Sequence, residues 1–206
     1  MGVISQFYGK EYRQGSPWPF RYIADGDALV RGNSHFTCLV TPGHTIGHSC
    51  LYEPGGSVLI SGDQITAGIQ FLLDRANPLA DHLRSLARLR EMDVKLALPG
   101  HGSPFRNHRK RIDQLLAHHQ GRSEAVCGAL EQKGKDAYEV TLALDGLLPD
   151  QESFDSLPLI RKFIHTRHTF AYLQHLAAQG RARKEHRHGR MLFFSPQPTE
   201  LEPRKR

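Results

Sequence analysis

Three times in its first half the chain runs a short β-rich stretch into a glycine and then places a side chain able to ligate a metal. The segments are Thr41-Pro42-Gly43-His44-Thr45-Ile46-Gly47-His48, Ser61-Gly62-Asp63-Gln64 and Leu98-Pro99-Gly100-His101-Gly102. Each glycine permits a tight turn, so the next side chain can leave the strand end and point into a shared cleft. Imidazole and carboxylate together suit zinc or a related divalent ion. A lone Gly-His or Gly-Asp is more often a capped turn than a ligand, so the weight falls on all three occurring in order.

The runs that feed these turns are Phe36–Thr41, Cys50–Glu53 and Ser57–Ser61, and Pro54-Gly55-Gly56 predicts a hairpin turn between the last two. Asn77-Pro78 reads as an N-cap followed by proline at the first helical position. Leu79, Leu83, Leu86, Leu89 and Met92 then recur at helical spacing, which predicts a helix to about Glu91, and Val94–Leu98 predicts a further strand. A second helix is predicted from near Asn107, with Ile112, Leu115, Leu116 and His119 on one face; it continues toward Val126 and Leu130, weakened by Gly121. Ala137–Leu144, Leu159–Ile164 and Thr166–Gln179 follow as short helices, the last stopped by Gly180. Arg181–Glu185 and Arg190–Phe194 are expected as strands flanking His186–Gly189. Three helices and a basic β-hairpin is the order of a winged helix.

Composition bounds the setting. At 206 residues with 23% charged side chains, the chain is long enough to bury a core without disulfides and too apolar for wholesale disorder. No apolar run approaches the ~18–20 residues of a membrane helix, and the N-terminus shows no basic region followed by an apolar one. Cys38, Cys50 and Cys127 lack zinc-knuckle or C-x-x-C spacing, which suits a reducing compartment. A cytoplasmic protein without membrane contact is therefore expected. The net charge of +6 is uneven: residues 123–160 hold 2 Lys/Arg and 8 Asp/Glu, whereas residues 161–206 hold 11 and 3. Such a basic block reads either as a nucleic-acid face, with Arg181, Arg183, Lys184, Arg187 and Arg190 contacting phosphates, or as a solvated basic edge.

TPGHTIGHSCLY, LISGDQ and LALPGHGSPF resemble the third, fourth and fifth motifs of the metallo-β-lactamase superfamily, in its glyoxalase-II-like hydrolase branch. The likeness runs from the Asp25-Gly26-Asp27 turn to His119, and the stretch from Ala137 is similar to the winged-helix domain found in one branch. The resemblance implies an α/β fold: the C-terminal half of an αββα sandwich over residues 1–122, a helical linker and winged-helix domain over 123–195, and a disordered tail over 196–206. It also implies metal ligation by His44, Asp63 and His101, with Asp63 bridging two zinc ions in an intact site. The activity implied is hydrolysis of an ester, thioester or phosphodiester, RNA included, by a metal-bound hydroxide. His48 matches a second histidine of the third motif that is structural rather than a ligand.

The superfamily's second motif, His-x-His-x-Asp-His, is absent from this sequence. The chain is therefore expected to be a truncated or incomplete representative that keeps one histidine per metal and the bridging carboxylate. A single zinc on His44, Asp63 and His101, with water in fourth place, is chemically allowable. The same reasoning predicts an exposed sheet edge through which copies associate. The alternative is an inactive relative whose winged helix binds nucleic acid or a protein partner.

Overall fold

The computed structural model describes residues 22–72, 77–146 and 153–196. Four strands run in antiparallel succession, β1 (Ala28–Arg31), β2 (Ser34–Val40), β3 (Ser49–Glu53) and β4 (Val58–Gly62). After helix α1 (Pro78–Arg90), strand β5 (Leu96–Pro99) joins parallel to β4, completing the sheet order β1-β2-β3-β4-β5. The hairpin between β3 and β4 is held by the Glu53 carboxylate, which accepts from the Gly55 and Gly56 amides at 2.9 and 2.6 Å. Asn77 caps α1 by accepting from the Ala80 amide, with Pro78 at the helix start.

Register decides which face is buried. Leu39 lies opposite Cys50, Tyr52 opposite Leu59, and Leu59 opposite Ala97, so these side chains share one face of the sheet. Leu39, Cys50, Leu59 and Ala97 form a single buried cluster with Leu86 and Leu89 of α1 and with Ile112 and Leu115 of the next helix, α2 (His108–Gly128). A second cluster joins Val126 of α2 to Val140 of α3 (Ala137–Ala143), to Tyr172, Leu173 and Leu176 of α4 (Leu159–Ala178), and to Phe193 of the hairpin β6 (Arg183–Arg187) and β7 (Arg190–Phe194). Leu72 and Leu79 belong to this second cluster, so the C-terminal helices are packed onto the sheet-bearing part through α1 and α2. The boundary expected after Arg122 falls inside α2.

Several boundaries differ from the sequence reading for identifiable reasons. Leu159–Ile164 and Thr166–Gln179 are one continuous helix, because His165 is itself buried on the face that carries His168 and Tyr172. Gly121 does not interrupt α2: its α-carbon faces open space, and the helix is held by packing at both ends. The first strand of the hairpin begins at Arg183 rather than Arg181, since the Arg181 and Ala182 amides donate to the Leu176 carbonyl at 2.8 and 3.2 Å to close α4. The turn accordingly narrows to His188-Gly189, both with positive φ (47° and 76°). Strand β1 was not anticipated, and β5 starts at Leu96, two residues after Val94. The charged tail beyond Pro196 lies outside the described residues.

The β5 edge is partly covered, because Ala97 and Phe105 exchange backbone hydrogen bonds of 2.8 and 3.0 Å. The β1 edge carries exposed Ala28, Val30 and Arg31. No helix among the described residues is long and apolar enough to cross a membrane, and Cys38, Cys50 and Cys127 are free thiols.

Candidate metal centre

Strands β2, β4 and β5 run in the same direction, since β3 is antiparallel to both β2 and β4 and β5 is parallel to β4. Their C-terminal ends therefore open on one rim of the sheet. Each is followed by one of the three glycine turns, which is why residues 44, 63 and 101 meet despite their separation in sequence. The turns are tied directly, with the Gly100 amide donating to the Gly62 carbonyl at 2.8 Å. Glycine at position 100 does more than turn the chain: a β-carbon there would sit 2.8 Å from Asp63 Oδ1.

Asp63 stands between the two imidazoles. Its Oδ2 is 3.8 Å from His44 Nε2, and its Oδ1 is 3.6 Å from His101 Nε2. Both separations are too long for a direct hydrogen bond, and Asp63 Oδ1 is buried without a hydrogen-bond partner. A tetrahedral ion with nitrogen and oxygen ligands near 2.1 Å would hold those two atoms roughly 3.4 Å apart. The spacing therefore fits a cation on each side of the carboxylate. Among the described residues no three His, Cys, Asp or Glu side chains close into a single metal-holding group, so the arrangement is one imidazole on either side of one carboxylate, not a three-ligand cage. His44 and Asp63 are partly shielded, at 25% and 27% side-chain exposure, whereas His101 is 77% exposed.

The supporting hydrogen bonds fix orientation. His44 Nδ1 donates to the Phe71 carbonyl at 2.9 Å, which leaves the Nε2 lone pair directed at Asp63. His48 Nε2 accepts from the Asp63 amide at 3.1 Å, so its proton lies on Nδ1 and is donated to Thr41 Oγ1 at 2.8 Å. Burial holds His48 below the usual histidine range, which keeps this neutral form. His48 thus pins the backbone of Asp63. Beyond Asp63, Arg111 donates to the Thr66 and Gly68 carbonyls at 2.7 and 2.8 Å, fixing the loop that borders a cleft of about 540 Å³ beside the His101 turn.

A set of buried histidines lies beneath this rim, and of these the sequence pattern places only His119 on a helix face. His82 of α1, His119 of α2 and His168 of α4 are each about 2% exposed or less, and the His119 and Tyr172 side chains are hydrogen-bonded at 2.7 Å. Burial pushes His82 down to about 4, His168 to about 3 and His119 to about 2, and neighbouring imidazoles push the same way. The signal was there: His165, His168 and Tyr172 recur at i, i+3 and i+7, a buried helical face written partly in histidine.

The five basic residues of the hairpin region are already engaged. Arg181 pairs with Glu124 at 2.6 Å, Arg183 and Arg187 both pair with Glu185, and Lys184 donates to Gln174 at 3.2 Å. Arg190 pairs with Asp136, which also caps α3, and with Glu139 at 3.2 Å. Arg183 and Arg187 also lie over the Phe194 ring at 4.3 and 5.2 Å. Glu124, Asp136 and Glu139 come from the acidic block 123–160, so folding sets the two unlike blocks against each other.

A carboxylate flanked by imidazoles at the ends of co-directional strands is an arrangement able to hold divalent ions. Residues 10–101 match the profile of the metallo-beta-lactamase superfamily. The chain is 28% identical over 134 residues to the probable metallo-hydrolase YqjP of Bacillus subtilis, covering 61% of this chain and 42% of that protein. It is 24% identical over 113 residues to an atrochrysone carboxyl ACP thioesterase of Aspergillus fumigatus, covering 53% and 34%. A metallo-beta-lactamase family protein from Thermus thermophilus superposes with a TM-score of 0.70 at 31% identity, over 87% of this chain and 55% of that one. A beta-lactamase domain protein from Burkholderia ambifaria gives 0.77 at 30%, over 87% and 53%. The profile match and the two superpositions agree in likening the chain to the metallo-beta-lactamase superfamily. The chain spans less than half the length of these two curated relatives and about half of the two structures.

Proposed function

We propose that this chain carries the C-terminal part of a zinc-dependent hydrolase of the glyoxalase-II-like branch, acting in the cytoplasm on a small-molecule ester or thioester. The observation that supports it most is the placement of Asp63 between His44 Nε2 and His101 Nε2 at 3.8 and 3.6 Å, with one carboxylate oxygen buried and unpartnered. His44 and Asp63 would hold one ion, and Asp63 and His101 the other. When bound, such ions polarise the scissile carbonyl and lower the pKa of water. The chain's own contribution is orientation: Phe71 fixes the His44 ring, His48 fixes the Asp63 backbone, and the Gly62–Gly100 contact fixes the spacing between the turns. The ligands of a His-x-His-x-Asp-His segment would be supplied by a longer chain or by an associated one, with the β1 edge as the surface for association.

One relative is named a thioesterase, which favours thioester over phosphodiester substrates. In this reading the C-terminal helices and hairpin form a winged-helix unit that packs against α1 and α2. The engagement of all five hairpin cations with partners in the chain argues against a phosphate-binding wing. The test is hydrolysis of a thioester and a phosphodiester reporter by a zinc-loaded chain supplied with the second-motif segment. Thioester turnover is expected, with a loss of at least ~100-fold for Asp63→Asn. Turnover unchanged by that substitution, or confined to the phosphodiester, would overturn the reading.

A further inference from the structure

His44 and His168 grip opposite ends of one peptide group. The Phe71–Leu72 peptide accepts from His44 Nδ1 at its carbonyl oxygen, at 2.9 Å, and donates from its amide to His168 Nδ1, at 3.1 Å. His168 lies in the middle of α4, 96 residues along the chain from Leu72, and both are buried. The Phe71 ring fills the space between His165 and His168, meeting each edge-on at a centroid distance of 5.2 Å. The two sides of the peptide are therefore set by different parts of the fold.

From this geometry we infer that His168 is a positioning residue for His44, transmitting the placement of α4 to the candidate metal centre through the Phe71–Leu72 peptide. The inference rests on the metal-site reading of His44. Because an amide can only donate, His168 Nδ1 must be an unprotonated acceptor, and the neutral ring carries its proton on Nε2. That Nε2 is buried without a hydrogen-bond partner, so the residue bears an unmet donor in order to present an acceptor to Leu72. Burial holds His168 far below the usual histidine range, which preserves that form at neutral pH. A peptide whose amide is bonded has a more strongly accepting carbonyl, because successive hydrogen bonds polarise one another. The carbonyl in question accepts the His44 proton and so keeps it on Nδ1, leaving Nε2 free on the Asp63 side. Without an acceptor at position 168, the peptide is free to rotate and His44 loses the bond that selects its tautomer.

Two variants separate positioning from simple core support. His168→Leu removes the acceptor, while His168→Asn places an amide oxygen close to where Nδ1 stood. Imidazole nitrogen NMR of the metal-free 206-residue chain should show His44 with its proton on Nδ1 and His168 with its proton on Nε2. A through-hydrogen-bond coupling from the Leu72 amide to His168 Nδ1 is expected too. In His168→Leu the His44 signals should become those of mixed tautomers, and the zinc affinity of the chain supplied with a His-x-His-x-Asp-His segment should fall about 10–100-fold; His168→Asn should restore both to near the parent values. Should His168→Leu fail to fold, the parent-chain tautomers and coupling still decide: a His168 proton on Nδ1, or no coupling, overturns the inference. It also fails if His168→Leu folds with the His44 tautomer unchanged. Absence of zinc binding by the parent chain supplied with that segment would instead count against the metal-site reading, and the tautomer measurements would stand apart from it.

Discussion

Between pH 7 and pH 5, mostly above the range in which carboxylates titrate, two buried histidines alone are expected to lower stability by roughly 4 kcal/mol. His119 and His168 are buried and held at about 2 and about 3 in the folded chain, against about 6.5 when unfolded. Below pH 6.5 the unfolded chain takes up a proton at each position and the folded chain does not. Stability is therefore fully present above pH 6.5 and is lost as pH falls toward the folded values, at about 1.4 kcal/mol per unit per histidine. His82, pushed down to about 4, adds in the same direction. Measured against a total of about 5–15 kcal/mol for a typical domain, the loss is enough to bring on unfolding in mild acid. Urea denaturation at pH 7, 6 and 5 is the check. A flat stability across that range would mean that these histidines are solvated or already charged when folded.

Gly43→Ala is expected to cost about 2–5 kcal/mol and to displace His44. Gly43 has φ of +148°, and a β-carbon there would lie 2.6 Å from both Cα and Cβ of His82. The obstacle is partly the backbone of α1, so no rotamer change relieves it; backbone strain and overpacking add. The adjacent carbonyl of Pro42 accepts from Ser85 Oγ at 2.8 Å, so the turn and the helix must separate together. Gly68→Ala is the matched control, because its β-carbon would meet nothing within 4 Å. Urea unfolding of both variants should show a large loss for Gly43→Ala and almost none for Gly68→Ala; equal losses would refute the close approach of turn and helix.

The glycine turns were legible because their chemistry is local: a strand end, a glycine and a ligating side chain sit within a few residues. Their convergence was not derivable from spacing, since it depends on three strands running the same way, and only the family resemblance supplied it. The histidines of α4 went unread for a related reason. An apolar-stripe search passes over His165 and His168 and so divides α4, although the fold treats both as interior residues. Strand β1 is short, exposed and held by pairing with β2, which local propensity does not reveal. The partners of the basic block were not legible for the opposite reason. A charge count along the sequence cannot show that Arg181 and Arg190 meet Glu124, Asp136 and Glu139 across the fold.

In the proposed site Asp63 joins two ligand sets. The most direct test of that site is zinc binding, by equilibrium dialysis with metal analysis, to the chain supplied with a His-x-His-x-Asp-His segment, alongside His44→Ala, Asp63→Ala and His101→Ala. Each substitution is expected to weaken binding by at least ~10-fold, with Asp63→Ala the most severe because it alone removes a ligand from both sides. Zinc binding indifferent to all three substitutions, or no zinc bound by the parent chain under these conditions, would contradict it.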